Sequence, residues 1–305
     1  MPRNGHLITR RTLVLGGLGT VLAGCAASPE PTAPGSSGAA ASTSARQATA
    51  TADLTALEAG LGGRIGVHAV DTGTGTTVAH RADERFLMCS THKALVAAAV
   101  LRTGVDLDRL VRYDESELLS YAPVTSQHVA DGMTVAALCE AAITRSDNTA
   151  DNLLLEILGG PQAVTAFVRT LGDDVTRLDR VEPDLNVGAP GDERDTSTPA
   201  RMVADLRELV LDDGLDPAGR DRLTGWLTAN TTGDDLIRAG LPAGWRVGDK
   251  TGSGAAGEVN DIAVVWPPGR APWVVAVYAV PTDPKSTAVR AAVASASRIV
   301  TAALT

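Results

Sequence analysis

The chain has 305 residues, 44% of them hydrophobic, which is enough for one large domain or two intertwined ones. Its formal net charge is −9, and losing Arg3, Arg10 and Arg11 with an N-terminal segment would take it close to −12. That balance excludes nucleic acid as a partner, which needs clustered Lys and Arg, and suits a solvated acidic surface. The five histidines form no His-x-His or His-Glu-x-x-His grouping, so no metal site and no metallo-hydrolase is expected.

Residues 1–24 read as a signal peptide. Arg10-Arg11 precede an apolar run from Leu13 to Ala23, too short for the ~20 residues that span a bilayer but the length of a signal h-region. The arginines fit either export of a folded protein or a plain basic n-region. Leu22-Ala23-Gly24-Cys25 resembles a bacterial lipobox, in which Cys25 would be lipidated and anchor the chain to the membrane; an ordinary signal peptide with an incidental Cys is the alternative. Residues 25–52 are rich in Ala, Ser, Thr, Pro and Gly and read as a flexible tether.

The folded part is expected from Asp53, which could cap a short helix through Leu54, Leu57 and Leu61. Arg64–Val70 and Thr76–His80 read as strands about a turn at Asp71–Gly75. Ser90–Leu101 suits a buried helix, and residues 134–158 read as helical, with Leu153, Leu154, Ile157 and Leu158 on one face. Arg180–Pro199 is a long, charged surface loop of the kind that carries function. Helical patterns return over 200–230. Arg246–Lys250, Asp261–Trp266 and Trp273–Val280 read as strands, and Ser286–Ala303 as a closing helix. Strands at both ends with helices between predict an α+β fold: an antiparallel sheet from residues 53–85 and 224–305, and an inserted all-helical region, 86–223. Cys89 and Cys139 are expected free and buried.

Three short motifs carry chemistry. In Ser90-Thr-His-Lys93, Lys93 lies one helical turn from Ser90 and can serve as the neighbouring base a serine nucleophile needs. A helix start at Ser90 would also suit an N-cap, and would aim backbone N–H groups at an oxyanion. Ser146-Asp-Asn148 would, alone, be a capping or turn cluster. Lys250-Thr251-Gly252, at a strand end, offers buried positive charge and a glycine that lets a substrate backbone approach. Two of the chain's three lysines sit in these motifs.

Taken together and in this order, the motifs resemble the set found in penicillin-recognising serine enzymes. The chain resembles that superfamily from about Asp53 onward, also through Tyr121-Ala-Pro-Val-Thr, Asp131-Gly-Met-Thr and Leu241-Pro-Ala-Gly-Trp. The long loop contains Glu182-Pro-Asp-Leu-Asn186, which resembles the Glu-x-x-Leu-Asn signature of the class A β-lactamase omega loop, here 180–195. A carboxylate with an amide can hold and deprotonate the water that clears an acyl-serine. D-Ala-D-Ala peptidases and covalent penicillin sensors, the alternative readings, lack it.

The resemblance implies an α/β sandwich with a five-stranded antiparallel sheet, hydrolysis of β-lactam antibiotics (penicillins, cephalosporins), no cofactor, and a monomeric exported protein. It implies Ser90 as nucleophile, Lys93 as a mover of its proton, Ser146 as a relay to the departing nitrogen, and Glu182 with Asn186 as holders of the hydrolytic water. Asn148 would bind the substrate side chain and Tyr121 would line the cleft. Lys250, Thr251 and Ser253 would meet the substrate carboxylate, and the N–H groups of Ser90 and Ser253 would form the oxyanion hole. Arg180 and Asp195 would pair across the loop's neck. The chain departs from the class A pattern where an extra carboxylate-binding arginine commonly stands: Val259 and Leu236 occupy two such positions. Arg290 matches a third, with a solvated surface arginine as the alternative reading. A disulfide from Cys139 is excluded by Ala97, and one from Cys89 by Gly254. His92 is uncommon within the first motif and reads as a packing variant.

Overall fold

The structure, a computed structural model, describes residues 36–189 and 191–305, with side chains from residue 44 onward. Its centre is a five-stranded sheet of β1 (Gly63–Asp71), β2 (Thr77–His80), β3 (Arg246–Ser253), β4 (Val259–Trp266) and β5 (Trp273–Pro281). The spatial order is β2-β1-β5-β4-β3, every pair antiparallel. The N-terminal hairpin and the C-terminal meander thus join between β1 and β5, in a nine-residue register from Gly63↔Pro281 to Asp71↔Trp273.

The inner strands are apolar on both faces and alternate with period two, because successive side chains point to opposite sides. Ile65, Val67, Ala263, Val265, Val275 and Val277 meet α1 (Ser36–Leu61) and α8 (Val289–Leu304) on one face. Ile262, Val264, Val274, Ala276 and Tyr278 join the other core, which belongs to the helical region. That region contains α2 (Lys93–Thr103), α3 (Val135–Thr144), α4 (Asn148–Leu158), α5 (Pro161–Thr170), α6 (Pro199–Val210) and α7 (Pro217–Thr228). Helix α2 runs through its middle, with every residue from Lys93 to Val100 buried.

The α+β sandwich is as expected, but several boundaries are not. Residues 36–52 are helical, not a tether, and Asp53 lies inside α1 instead of capping it. Alanine is the best helix former, and docking supplies what composition lacked: Ala50 and Leu54 are buried in one core with Val300 and Ala303 of α8. The hydroxyls of Thr49, Thr51 and Thr55 donate to the carbonyls four residues back. A domain cut at 223/224 would split α7, and α6 packs directly on the sheet beside β1, β4 and β5. The helices expected over 134–158 are α3 and α4, parted where Ser146 adopts φ +56°. Cys89 and Cys139 are free and buried. The expected signal segment and Cys25 lie outside the described residues.

Candidate active site

The nucleophile sits on a tight 3₁₀ turn, Cys89–His92, rather than on an α-helix, and no side chain caps it. Cys89, immediately before Ser90, is held at φ +48°, a left-handed conformation that a residue with a Cβ rarely adopts. Three contacts hold the approach to the turn. The Met88 N–H donates to the Asp195 carbonyl at 2.9 Å, and Asn260 Nδ2 to the carbonyls of Leu87 and Met88 at 2.8 and 3.2 Å. Strand β3 passes beside it: a Cβ on Gly252 would lie 2.9 Å from the Met88 carbonyl and 3.1 Å from the Ser90 nitrogen, so only glycine lets the strand come this close.

Lys93 is fully buried, and its Nζ is the hub of the site. It lies 2.9 Å from Ser90 Oγ, 3.0 Å from the Ser146 carbonyl, 2.6 Å from Asn148 Oδ1 and 3.0 Å from Glu182 Oε1. Ser90 Oγ is 3.4 Å from the same Glu182 oxygen. The other Glu182 oxygen accepts from Asn186 Nδ2, whose amide also reaches the Pro183 carbonyl at 3.2 Å.

The 180–195 loop holds Glu182 from two sides. Across its neck, Arg180 Nε donates to Asp195 Oδ2 at 2.5 Å, and Asp195 Oδ1 accepts from the N–H groups of Asp179 and Arg180. At Glu182 the backbone is bracketed by Asn152, which donates Nδ2–H to the Glu182 carbonyl and accepts its N–H, both at 2.9 Å. The motif reading missed Asn152. Its signal was its place four residues after Asn148 on α4, which puts both amides on one face of the helix.

Opposite, Lys250 is also fully buried and donates to Ser146 Oγ at 3.0 Å and to the Thr251 carbonyl at 2.8 Å. Burial, followed by the neighbouring Lys93, pulls the Lys250 ammonium down to about 7. Beneath it lie the buried Asp249 and Asp261, both pushed up by burial; Asp249 is held by Asn230 and Arg238 at 2.6 and 2.7 Å. The Thr251 hydroxyl is 2.6 Å from that of Thr232, a second residue the motifs did not point to.

The wall carrying Ser146 and Tyr121 is tied together by Asp147. Its buried carboxylate caps α4 at the Ala150 N–H and accepts from the N–H groups of Val124 and Thr125 and the Thr125 hydroxyl, all at 2.9 Å. The Asn148 N–H reaches back to the Tyr121 carbonyl at 3.0 Å.

These groups converge on a cleft of about 340 Å³ lined by Ser90, Tyr121, Ser146, Asn148, Asn186, Thr232, Thr251, Gly252, Ser253 and Arg290. Every expected site residue among the described ones therefore meets here, Lys93, Glu182 and Lys250 from just beneath the lining. Arg290 reaches the rim, but its fork is engaged by Asp235, with both contacts at 2.5 Å. Val259 and Leu236 are buried in the core and neither lines the cleft.

A serine bonded to a buried lysine, a second serine on a second buried lysine, and a carboxylate poised over the first define a serine acyl-transfer enzyme equipped to hydrolyse its own ester. Comparison with known proteins agrees. Residues 49–304 match the Beta-lactamase enzyme family. The chain is 56% identical over 253 residues to β-lactamase AST-1 of Nocardia asteroides, covering 81% of each chain. It is 54% identical over 259 residues to β-lactamase FAR-1 of Nocardia farcinica, covering 84% of this chain and 83% of that one. Among solved structures it is similar to a class A β-lactamase from Mycobacterium abscessus, with a TM-score of 0.81 at 57% identity over 82% of this chain and 97% of that one. The chain belongs to the class A β-lactamases.

Proposed function

We propose that this enzyme opens the ring of penicillins and cephalosporins through an acyl-enzyme on Ser90 and clears it with water activated by Glu182. Ser90 Oγ attacks the lactam carbonyl and gives up its proton into the Lys93–Glu182 pair beside it. The C–N bond breaks, and the leaving nitrogen takes a proton through Ser146, which Lys250 holds. The amides of Ser90 and Ser253 serve the oxyanion, while Lys250, Thr251 and Ser253 meet the substrate carboxylate. Glu182 and Asn186 then hold a water; Glu182 takes its proton as the oxygen attacks the ester, and that proton passes by way of Lys93 to Ser90 Oγ, which departs as the hydroxyl. The observation that carries this reading over a peptidase or a penicillin sensor is Glu182 Oε1, within 3.4 Å of the nucleophile and 3.0 Å of Lys93. The test is a chromogenic cephalosporin: many turnovers per enzyme are expected, whereas a burst that stops at one equivalent would identify a sensor.

The same reading includes export, lipidation at Cys25, and a monomer tethered to the outer face of the membrane. The lipobox-like Leu22-Ala23-Gly24-Cys25 supports it. One acyl chain anchors only marginally and two hold stably, so Cys25→Ala should release active enzyme into the medium. Wild-type activity that is already wholly soluble, with a mature terminus beyond Cys25, would rule the anchor out.

A further inference from the structure

His92, the third residue of the nucleophile turn, has no part in the steps above. It is completely buried. Its Nδ1 lies 2.7 Å from the carbonyl of Cys89, which can only accept, so Nδ1 carries a hydrogen. Its Nε2 lies 2.8 Å from Oδ2 of Asp151, also completely buried, on α4. A contact this short holds one proton between the two atoms, on the ring nitrogen or on the oxygen.

Three groups besides the ring's own turn bear on the choice. Burial works against a charged ring. The Asp151 carboxylate works for it and prevails, Glu182 pulls the same way, and Lys93 opposes; the ring ends above its usual range. The geometry gives this charge a target. Oxygens of Asp151 and Glu182 and a ring nitrogen of His92 all lie within 4.8 Å of one another, with all three residues buried. A charge left unpaired on Asp151 would repel the Glu182 carboxylate across this dry site, where Lys93 faces Glu182 Oε1 at 3.0 Å. A protonated Glu182 could not take the proton of a water.

We propose that His92 is a positioning residue for deacylation: as an imidazolium clamped between the Cys89 carbonyl and Asp151, it neutralises Asp151 and so holds Glu182 as the carboxylate that receives the proton of the hydrolytic water. The same ring pins the left-handed Cys89 and, with it, the turn bearing Ser90. The proposal rests on Glu182 as the hydrolytic base.

The experiment compares His92→Gln, Asp151→Asn and the double variant in full-length enzyme, with acylation and deacylation rates resolved across pH by stopped flow and mass spectrometry. His92→Gln keeps a donor for Cys89 but leaves Asp151 uncompensated. Its deacylation should weaken on the acid side, the acid limb moving up by about one pH unit, with acyl-enzyme accumulating near pH 6. Asp151→Asn in the same chain should bring the limb back to within a few tenths of a unit of wild type, although it repairs no packing. A limb that stays put in His92→Gln, or a double variant no better than the single one, overturns the proposal. Nitrogen-15 NMR of the unaltered enzyme decides independently of any variant's folding: both His92 ring nitrogens should be protonated at pH 7, and one bare nitrogen refutes the idea. If Glu182→Ala fails to trap acyl-enzyme, the base assignment falls instead, whatever the NMR of His92 shows.

Discussion

Lys250 Nζ donates to Ser146 Oγ at 3.0 Å, joining residues 104 apart in the chain. The lysine is buried beside Lys93 and brought down to about 7, so in the free enzyme it is an ammonium below neutrality and loses its charge above. The substrate carboxylate needs that charge. For a penicillin, KM should rise as pH increases through about 7, and saturating substrate should push the transition upward by favouring the charged form. Lys250→Ala should raise KM about 10- to 100-fold, since a charge-assisted hydrogen bond is worth about 1.5–3 kcal/mol, and should flatten this pH dependence. Steady-state kinetics between pH 5 and 9 check both.

Glu182→Ala should still react with penicillin but stall. Intact-protein mass spectrometry after mixing should find an adduct, and peptide mapping should place it on Ser90. Turnover at the wild-type rate would remove Glu182 from the mechanism.

Arg290 reaches the cleft but is held by Asp235. If its guanidinium binds the substrate carboxylate, Arg290→Ala should raise KM about 5- to 30-fold, a loss of about 1–2 kcal/mol for a partly exposed ionic contact. A substrate analogue without the carboxylate should feel it less. Asp235→Asn should act in the opposite sense, lowering KM by freeing the fork. Equal losses with both compounds would make Arg290 a structural residue.

Outside the cleft lining, Asp205 on α6 is buried next to the Asp173 carboxylate. Burial, and then that neighbour, lift it from 3.8 to about 9. It is protonated in the folded state and ionised in the unfolded chain at neutral pH. Its contribution is therefore intact below pH 4 and declines as pH climbs toward 9. Asp205→Asn should remove that decline: relative to wild type, its Tm should improve progressively between pH 5 and 9. A constant offset would show that Asp205 is not the titrating group.

Sequence and structure agree best where residue identity itself is the chemistry. Ser90, Lys93, Ser146, Glu182 and Lys250 were recognisable because few other side chains could act there, and the strands because buried sheet residues are apolar and β-branched. The first half of helix α1 was not recognisable, since its Ala- and Thr-rich residues gain their partners from the β1–β2 hairpin and from α8, over two hundred residues later. Asn152 and Asp235 were missed for a related reason. Their roles lie in whom they touch, Glu182 and Arg290, across 30 and 55 residues; the helical spacing from Asn148 marks the face Asn152 lies on but not its partner, and Asp235 has no such mark. The turn at Cys89 depends on such distant contacts too, from Asn260 and Asp195.

The hydrogen bonds that converge on Asp147 make the two sides of the cleft unequal partners in adaptation. The side bearing Tyr121, Ser146 and Asn148 shares one carboxylate, so a change that widened it would also cost the cap of α4. The facing side draws on separate segments, the 180–195 loop, Thr232 and the start of α8, which can be altered one at a time. Selection for bulkier antibiotics should therefore leave its marks on that facing side first, and variants recovered from such selection should be sparse between residues 121 and 150.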